Sequence, residues 1–440
     1  MARTNRITYG QCLILGSPRP AVQSNENNLT GLKRVQSASV DFAFSRQRYK
    51  QIGSADYVGD VNITNPEIGL DVEYLYTNGT NEVVLGLNVE GSSSAVLSGL
   101  RKPLRDNNFY VLFGSGVNDE VLLTESNSDF QNNFNVTALG NCFLNSYSLQ
   151  AQVGRFISVN ANVSADNIEV SPYTTGHSIP AINNSLKRPD TNYAYKIKKS
   201  FFENTTNQDG LVDSALTPSG IKLTLPNNVN VPGLQVSGEG NTAFINGLSL
   251  EFSISRTALY GFGTIYPYGR RAILPILGNL TISANASEFQ SGTLHDLVKL
   301  DNNQDRGYGF TFDFVGASGA TGLQIEVEGA KMENQGISES IGDNASVDAS
   351  FAFSMSDTSG LKFSTPPLIL DQPQDSTGPL QVVATGKHPL GYQWYNTSGT
   401  AGGDSTGPTI TPEARNEDYY CVITNDLGTA DSNWAKFESL

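Results

Sequence analysis

Cysteine and histidine, the side chains most often found in metal and thiol chemistry, are scarce in this chain. The full set is Cys12, Cys142, Cys421, His177, His295 and His388. The cysteines are odd in number and far apart, so they match neither a disulfide framework nor a Cys/His metal site. The histidines are equally scattered, and none lies beside a nucleophile motif. We therefore expect no metal, no cofactor and no catalytic residue.

Charged residues are also few, at 16% of the chain, which excludes a disordered polyelectrolyte. Those present are unbalanced, because 28 basic residues stand against 43 acidic ones and the net charge is −15. Such a chain lacks the excess of cations that neutralises phosphates in nucleic-acid binding. The composition therefore argues against a nucleic-acid-binding protein.

Long apolar runs are missing as well. The first twenty residues, MARTNRITYGQCLILGSPRP, hold an apolar stretch too short for the core of a signal peptide. Elsewhere no run approaches the ~20 apolar residues that span a membrane as a helix. We expect a protein that folds in a reducing cytosol and has no membrane partner.

Motifs for catalysis or ligand binding are absent too. The segment 301–307, DNNQDRG, resembles a calcium loop, but its glycine comes one residue late and Phe312 stands where a glutamate is required. The Gly114-Ser115-Gly116 triplet lacks the context of a phosphate-binding loop. The acidic residues form no signature of a glycosidase carboxylate pair. The sequence therefore predicts no enzyme activity.

What the chain does contain is glycine, aromatic residues and strand patterning. Its 440 residues suffice for two to four domains, with 43 Gly, 18 Tyr and 21 Phe. Apolar and polar residues alternate in segments such as 39–44, 70–76, 309–314 and 323–327, which is typical of β-strands. Only Ser93–Leu100 and Gly292–Leu300 read as short helices. The fold class predicted is mainly β.

An internal repeat organises these strands. SVDFAFSRQRYKQIGS (39–54) matches SLEFSISRTALYGFGT (249–264), and PEIGLDVEY (66–74) matches PILGNLTISA (275–284) with Gly69 over Gly278 and one extra residue after it. The two short helices correspond, and residues 143–165 match 331–353 at a shift of 188. Four blocks in the same order predict two copies of one β domain, at 1–175 and 215–366.

The segment 176–214 between the copies is rich in Asn, Pro, Thr and Ser. This composition suits a long surface connection. A plain interdomain linker and a segment that clasps a neighbouring subunit remain alternatives. Residues 219–225 form a candidate first strand of the second copy, equivalent to the strand near Cys12.

The last segment, 367–440, closely resembles an immunoglobulin-like domain. Trp394 lies where the core tryptophan of strand C belongs, and Tyr419-x-Cys421 matches the tyrosine corner before the cysteine of strand F. Val382 takes the place of the strand-B cysteine, so the inter-sheet disulfide is absent. Trp394 and Cys421 are expected in the core.

Together, the duplicated β domain with a short helix before its aromatic strand and the terminal immunoglobulin-like module resemble the major tail (tail tube) protein of long-tailed bacteriophages. The resemblance implies two tandem tail-tube-like β-sandwich or barrel domains and a C-terminal Ig-like β-sandwich. It also implies a homotrimeric, pseudo-hexameric ring, stacked into a tube that conducts DNA into the host. The fused duplication favours a non-contractile tail.

The resemblance further implies partners and a location. They are other copies of the chain, the tape measure protein, the tail terminator and the distal tail proteins, in a virion tail assembled in the host cytoplasm. DNA would slide through the lumen without specific binding, which an acidic wall favours because it repels phosphate. Surface acidity for simple solubility is the alternative. The Ig-like domain would make at most weak contact with host-surface glycans.

In the family a long loop reaches toward the adjacent ring, and this role carries over to residues 46–65 and 256–273, with ordinary hairpin loops as the alternative. Arg46, Arg48 and Lys50 are candidates to pair with carboxylates of the next ring, although only Arg256 recurs in the second copy.

Two other functions remain open. One is a different virion structural protein, namely a distal tail, spike or decoration protein. The other is a carbohydrate-binding surface module, for which Tyr392, Tyr395 and Tyr420 are candidate platform residues.

Overall fold

Antiparallel β-strands make up most of the chain in a computed structural model, which confirms the mainly-β prediction. The structure describes residues 12–16, 30–62, 65–91, 94–101, 107–114, 134–172, 177–178, 182–183, 188–189, 194–195, 220–224, 242–263, 266–285, 307–315, 321–338, 346–401, 405–412, 414 and 416–438. The predicted helix Gly292–Leu300, His295 and the loop 301–306 lie outside these residues.

The first β unit comprises residues 12–172. Its strands are β1 (Cys12–Gly16), β2 (Thr30–Gly31), β3 (Val35–Ala43), β4 (Arg46–Tyr49), β5 (Gly59–Asn62), β6 (Glu67–Leu75), β7 (Asn107–Gly114), β8 (Phe134–Gln152), β9 (Ser158–Ala165) and β10 (Asn167–Pro172). An outer sheet has the order β2-β1-β7-β8-β10, and an inner sheet has the order β3-β6-β9-β8. Alternating apolar side chains of both sheets fill one core between them.

The second β unit comprises residues 220–364. Its strands are β15 (Gly220–Thr224), β16 (Thr242–Phe244), β17 (Gly247–Ser253), β18 (Arg256–Leu259), β19 (Gly269–Ala272), β20 (Ile276–Asn285), β21 (Tyr308–Val315), β22 (Thr321–Ser338), β23 (Ser346–Met355) and β24 (Leu361–Ser364). They pair in the same order as β1–β10. The candidate strand at 219–225 is confirmed as β15, which pairs with β21 as β1 pairs with β7.

The two units have the same irregularities of the backbone at equivalent residues. The long strands β8 and β22 each belong to both sheets of their unit. At the crossing between sheets, Asn141 (φ 52°) and Gly329 (φ 70°) adopt the left-handed conformation that Asn and Gly tolerate best. Just beyond, a β-bulge falls at Asn145 in β8 and at Glu333 in β22, again 188 residues apart. The exact domain boundaries stay a prediction.

One detail of the sequence alignment is wrong. Matching letters placed Gly69 over Gly278, but the strand register places Ile68 at the position of Gly278, because Ile68 pairs with Phe42 and Gly278 pairs with Phe252. The shift is therefore 210 along the whole strand, and no extra residue is needed. Gly278 instead makes room for the ring of Phe353.

The first predicted helix also needs correction. Instead of a helix over Ser93–Leu100, the structure has a 3₁₀-helix at Val96–Arg101, and an α-helix, α1, at Thr80–Val84. Helix α1 begins after Gly79, which has the left-handed backbone conformation that glycine tolerates best (φ 91°). Five residues are too few to show an amphipathic period.

Between the units, the described residues form two nested strand pairs. They are β11 (His177–Ser178) with β14 (Ala194–Tyr195), and β12 (Ile182–Asn183) with β13 (Arg188–Pro189). This part of the connection therefore contains a β-hairpin. Whether it clasps a neighbour stays a prediction.

The C-terminal module is an Ig-like β-sandwich. Its strands are β25 (Leu368–Asp371), β26 (Leu380–Gln381), β27 (Val383–Thr385), β28 (Gly391–Asn396), β29 (Gly399–Thr400), β30 (Thr409–Ile410), β31 (Glu417–Asn425), β32 (Gly428–Asp431) and β33 (Ala435–Phe437). The largest sheet has the order β29-β28-β31-β32, with β33 beside β31. The module contacts both β units, since the His388 amide donates to the Glu90 carbonyl and Lys387 Nζ donates to Gln324.

Candidate assembly surface

The inner sheets of the two β units join edge to edge. Strand β17 of the second unit pairs antiparallel with the C-terminal half of β8 over seven residue pairs, from Gly247–Gln152 to Ser253–Ser146. The joined sheet has eight strands in the order β3-β6-β9-β8-β17-β20-β23-β22. We call the β8–β17 contact the internal joint.

Apolar side chains close the core side of the internal joint. The ring of Tyr147 stacks on Phe252 with centroids 5.4 Å apart, and it also lies 6.0 Å from the ring of Phe363. Leu149 faces Leu250 across the strands, and both are fully buried. Burying these side chains stabilises the joint by about 1.5–3 kcal/mol for each one fully removed from water.

Two arginines of the second unit reach across the end of the internal joint. Arg256 Nη1 donates to the Leu144 carbonyl and lies 3.5 Å from Asn145 Oδ1, both at the bulge of β8. The Arg256 guanidinium also lies over the ring of Phe143, 5.6 Å from its centroid. Partial burial and the neighbouring Arg270 lower the pKa of Arg256 to about 10.

The second arginine, Arg270, forms an ion pair with Asp166 of the first unit. Its guanidinium lies 5.1 Å from the centroid of the Phe143 ring, where a cation–π contact adds to the ion pair. Both groups of the ion pair are mostly buried, so removal of one would leave an uncompensated charge. The joint thus has an apolar centre and a charged clamp at one end.

A buried carboxylate lies beneath the internal joint. Glu82 on α1 is 1% exposed, and its Oε1 accepts hydrogen bonds from Tyr74 (2.8 Å) and Tyr147 (3.0 Å). Burial raises the pKa of Glu82, and these hydrogen bonds oppose the rise only in part. The nearby Tyr76 hydroxyl has no hydrogen-bond partner among the described residues. The group fixes α1 to β6 and β8.

The two outer edges of the eight-stranded sheet are the equivalents of the strands in the internal joint: β3 is equivalent to β17, and β22 is equivalent to β8. Among the described residues, β3 pairs only with β6, and the C-terminal half of β22 pairs only with β23. Phe42 is 58% exposed although its equivalent, Phe252, is 4% exposed. Likewise Ile337 is 54% exposed and its equivalent, Leu149, is fully buried. Apolar side chains at both open edges are therefore exposed to solvent, whereas their equivalents in the internal joint are buried by the neighbouring strand.

The solvent side of the joined sheet is mostly neutral or acidic. We call it the polar face, formed by Ser39, Asp41, Gly69, Asp71, Glu73, Ser146, Ser148, Gln150, Asn160, Asn162, Ser164, Ser249, Glu251, Asn279, Thr281, Ser283, Asn334, Gly336, Ser338, Asp348 and Ser350. None of these residues is basic. One cation lies on the same side of the sheet, because the exposed Lys331 pairs with Ala352, which in turn pairs with Asn279.

Each β unit also carries a projecting hairpin. The first arm is β4–β5 (residues 46–62), and the second arm is β18–β19 (residues 256–272). Ile52 and Phe262 lie at equivalent positions at the tips, and both are fully exposed. The glycines that follow, Gly53 and Gly263, share the left-handed backbone (φ 92° and 86°).

The predicted cations of the first arm occupy different surroundings. Arg46 lies 3.3 Å from Asp60 across the hairpin, and both groups are about half exposed. Arg48 and Lys50 instead lie over the ring of Tyr57, at 5.5 and 4.9 Å. Arg46 sits at the base of the arm beside the open edge of β3, whereas Lys50 lies further out. The stacking role assigned to these residues stays a prediction.

In the Ig-like module the predicted core residues have the expected packing. Trp394 and Cys421 face each other across β28 and β31, are fully buried, and share a cluster with Val382. The Tyr419 hydroxyl donates to the Ala414 carbonyl at 3.1 Å, which is the hydrogen bond of a tyrosine corner. Burial raises the pKa of the Cys421 thiol to about 11, so this cysteine is not a poised nucleophile.

The candidate platform tyrosines divide between core and surface. Tyr392 packs against the core cluster of the module. Tyr395 and Tyr420 point outward and stack at 5.4 Å, and Trp434 continues the row at 4.4 Å from Tyr420. Trp434 is 53% exposed. It follows β32 outside any alternating run of residues, so no local sequence pattern marks it as part of this row.

Other kinds of site are not found in the part of the chain that the structure describes. No group of three or more His, Cys, Asp or Glu side chains is placed to hold a metal. No helix among the described residues is long and apolar enough to cross a bilayer. His177 lies in β11, and His388 lies 3.8 Å from Glu90 at the base of the Ig-like module.

Comparisons with known proteins add little. No protein-family model and no curated protein matches the chain. Among the solved structures that match is one described as "Tandem Ig repeats of Dlar", with 12% sequence identity, 29% of this chain and 86% of that chain covered, and a TM-score of 0.14. A TM-score this low supports no argument about function.

Proposed function

We propose that this chain is a structural virion protein whose copies join head to tail into closed rings, which stack into the tail tube of a bacteriophage. One observation carries the proposal. The internal joint is built from one edge of each β unit, β8 and β17. The equivalent edges, β22 and β3, are open at the two ends of the eight-stranded sheet. A contact of this kind is heterologous, so repeating it yields a ring or an open filament.

Duplication sets the expected symmetry. Each chain supplies two units related by the internal joint, so three chains would supply six units in a pseudo-hexameric ring. Such a ring leaves no open edge in the inner sheet, and closure is how β-proteins remove the aggregation risk of exposed strands. The Ig-like modules would then number three per ring.

The polar face suits the wall of a DNA conduit. Its carboxylates include Asp71, Glu73 and Glu251, and Lys331 is the one cation among the paired residues on this side of the sheet. Such a surface repels phosphate and releases no counterions on contact, so DNA passes without being retained. The tape measure protein would occupy the same lumen before ejection, and the tail terminator and distal tail proteins would cap the ends.

Electron microscopy of the purified chain tests this function. Negative staining should show hollow rings or tubes with six inner lobes and three outer knobs, and mass photometry should give a mass of three chains per ring. Deletion of residues 368–440 should remove the knobs and keep the ring. Particles of one chain at all concentrations and salt levels would contradict the proposal. A copy number of only one or two rings per virion would favour a distal tail component instead.

A second candidate function is favoured by the aromatic row Tyr395–Tyr420–Trp434. Aromatic rings that are exposed, as in Trp434, or partly exposed, as in Tyr395 and Tyr420, offer an apolar surface with polar tips, which suits the faces of neutral sugars. Thr400 and Asp431 flank the row with hydrogen-bonding groups. Binding to a glycan array that Trp434→Ala abolishes, with Trp394 fluorescence unchanged, would support a carbohydrate-binding role for this module.

A further inference from the structure

The two open edges of the eight-stranded sheet, β3 and β22, differ from the internal joint in their charged residues. The strand registers assign equivalents to four of the five clamp residues Arg256, Arg270, Phe143, Asn145 and Asp166. Arg46 corresponds to Arg256 and Asp60 to Arg270, and on the other side Lys331 corresponds to Phe143 and Glu333 to Asn145. In the internal joint two arginines contact the Phe143 ring and the Asn145 amide. At the open edges the equivalent four residues are two cations, Arg46 and Lys331, and two anions, Asp60 and Glu333.

We infer that β3 of one chain pairs with β22 of the next in the register of the internal joint, and that an ion pair between Arg46 and Glu333 selects this contact. The inference rests on the proposed ring assembly and adds the partner edge, the register and the selecting residues to it.

The register follows residue by residue. Leu250 pairs with Leu149 in the internal joint, so Val40 should pair with Ile337 of the next chain. Phe252 pairs with Tyr147, so Phe42 should pair with Gln335. The stack of two aromatic rings is therefore lost at the ring-closing joint. Its apolar part is weaker, and the chain can remain soluble before assembly.

Charge complementarity makes up part of this difference. In the internal joint Arg256 approaches Asn145, and at the ring-closing joint Arg46 would approach Glu333, a carboxylate at the same bulge. Glu333 is exposed in the single chain, and the half-exposed Arg46 would exchange its contact with Asp60 for one with Glu333. Next to them, Asp60 would face Lys331. In the register of the internal joint, each cation of one edge therefore meets an anion of the other edge.

Charge reversal tests the ion pair. Arg46→Glu and Glu333→Arg should each raise the chain concentration needed for ring closure by about tenfold or more, and the double variant should restore it. Lys50→Glu changes the same charge further out on the same arm and should close rings normally. Since Arg46 and Glu333 are exposed, circular dichroism should show that every variant is folded.

A disulfide tests the register independently of charge. Val40→Cys/Ile337→Cys chains should cross-link into covalent dimers and trimers on oxidation. Ser39→Cys/Ile337→Cys places the thiols on opposite faces of the sheet and should not cross-link. The unchanged chain, with its native cysteines, gives the background.

The outcomes separate the inference from the proposed function. Restoration by the double variant together with register-specific cross-linking supports the inference. Rings that form equally well in both single variants, or that cross-link only in the Ser39→Cys control, overturn it and leave the tube proposal intact. Absence of rings from the unchanged chain overturns the proposed function itself.

Discussion

The hydroxyl of Tyr147 donates to buried Glu82 at 3.0 Å while the ring of the same tyrosine stacks on Phe252 of the second β unit. One side chain thus connects the polar group in the first core to the internal joint. Burial raises the pKa of Glu82, so the native fold favours its protonated form more than the unfolded chain does. Two predictions follow from this connection.

The first prediction concerns pH. A carboxyl group with a raised native pKa stabilises the fold fully at low pH, and this stabilisation is lost as the pH rises from the ordinary value of 4.5 through the native pKa. Glu82→Gln keeps an oxygen for the tyrosine hydroxyls and cannot ionise, so its stability should vary less with pH over this range. Urea unfolding between pH 4.5 and 8 measures the effect, with Glu251→Gln on the polar face as control. An unchanged slope in Glu82→Gln would count against it.

The second prediction concerns the hydrogen bond itself. Tyr147→Phe keeps the ring on Phe252 and removes one donor from the Glu82 carboxylate, so it should lower the free energy of unfolding by about 1–3 kcal/mol. In the Glu82→Gln background the same change should cost less, because a hydroxyl bonds a neutral amide oxygen less strongly than a carboxyl group that can ionise. A double-mutant cycle at pH 7 measures the coupling. Additive costs would show that the hydroxyl and the carboxylate do not interact.

The third prediction uses the tryptophans. Both of them, Trp394 and Trp434, lie in the Ig-like module, so tryptophan fluorescence follows this module alone within the full chain. Tyr419→Phe removes the hydrogen bond to the Ala414 carbonyl and should destabilise the module by about 1 kcal/mol. The unfolding midpoint followed by fluorescence should fall. Tyr395→Phe on the outer face is the control and should leave that midpoint unchanged.

How much the sequence could predict depends on how local each feature is. Strand alternation and the repeat follow from neighbouring residues, so the β class and the equivalence of β9 with β23 are visible in the residue pattern. The buried Trp394 and Cys421 follow from a motif of fixed spacing. Helix α1 escapes because its five residues are buried all round and show no polar face.

The assembly surface escapes for a different reason. Arg256 and Arg270 act through Phe143 and Asp166, more than a hundred residues away, and nothing local in the sequence names these partners. The role of Glu333 becomes visible only when the register of β22 aligns it with Asn145. The shift of 188 residues already aligns Glu333 with Asn145 in the sequence. Its relevance to assembly becomes clear only from the structure, which shows which strand edges pair.

The fourth prediction addresses the arms. Ile52 and Phe262 are fully exposed, and a fully exposed apolar tip at both equivalent positions suits a contact between stacked rings. The double variant Ile52→Ser/Phe262→Ser should form rings at the normal concentration but fewer or shorter tubes. Tube length in negative-stain images measures this. Ser54→Ala on the first arm is the control, and tubes of normal length from the double variant would contradict a stacking role.

The fifth prediction locates the lumen. If the polar face lines a closed tube, a thiol at Asn160, which is exposed in the single chain, should react with a small maleimide but not with a bulky polyethylene-glycol maleimide after assembly. Thr429→Cys on the Ig-like module should react with both reagents before and after assembly, because that module lies outside the ring. Disassembled chains should react with both reagents at either site. Equal labelling of Asn160→Cys by the bulky reagent in intact tubes would place the polar face on the outside, where its acidity could serve only solubility.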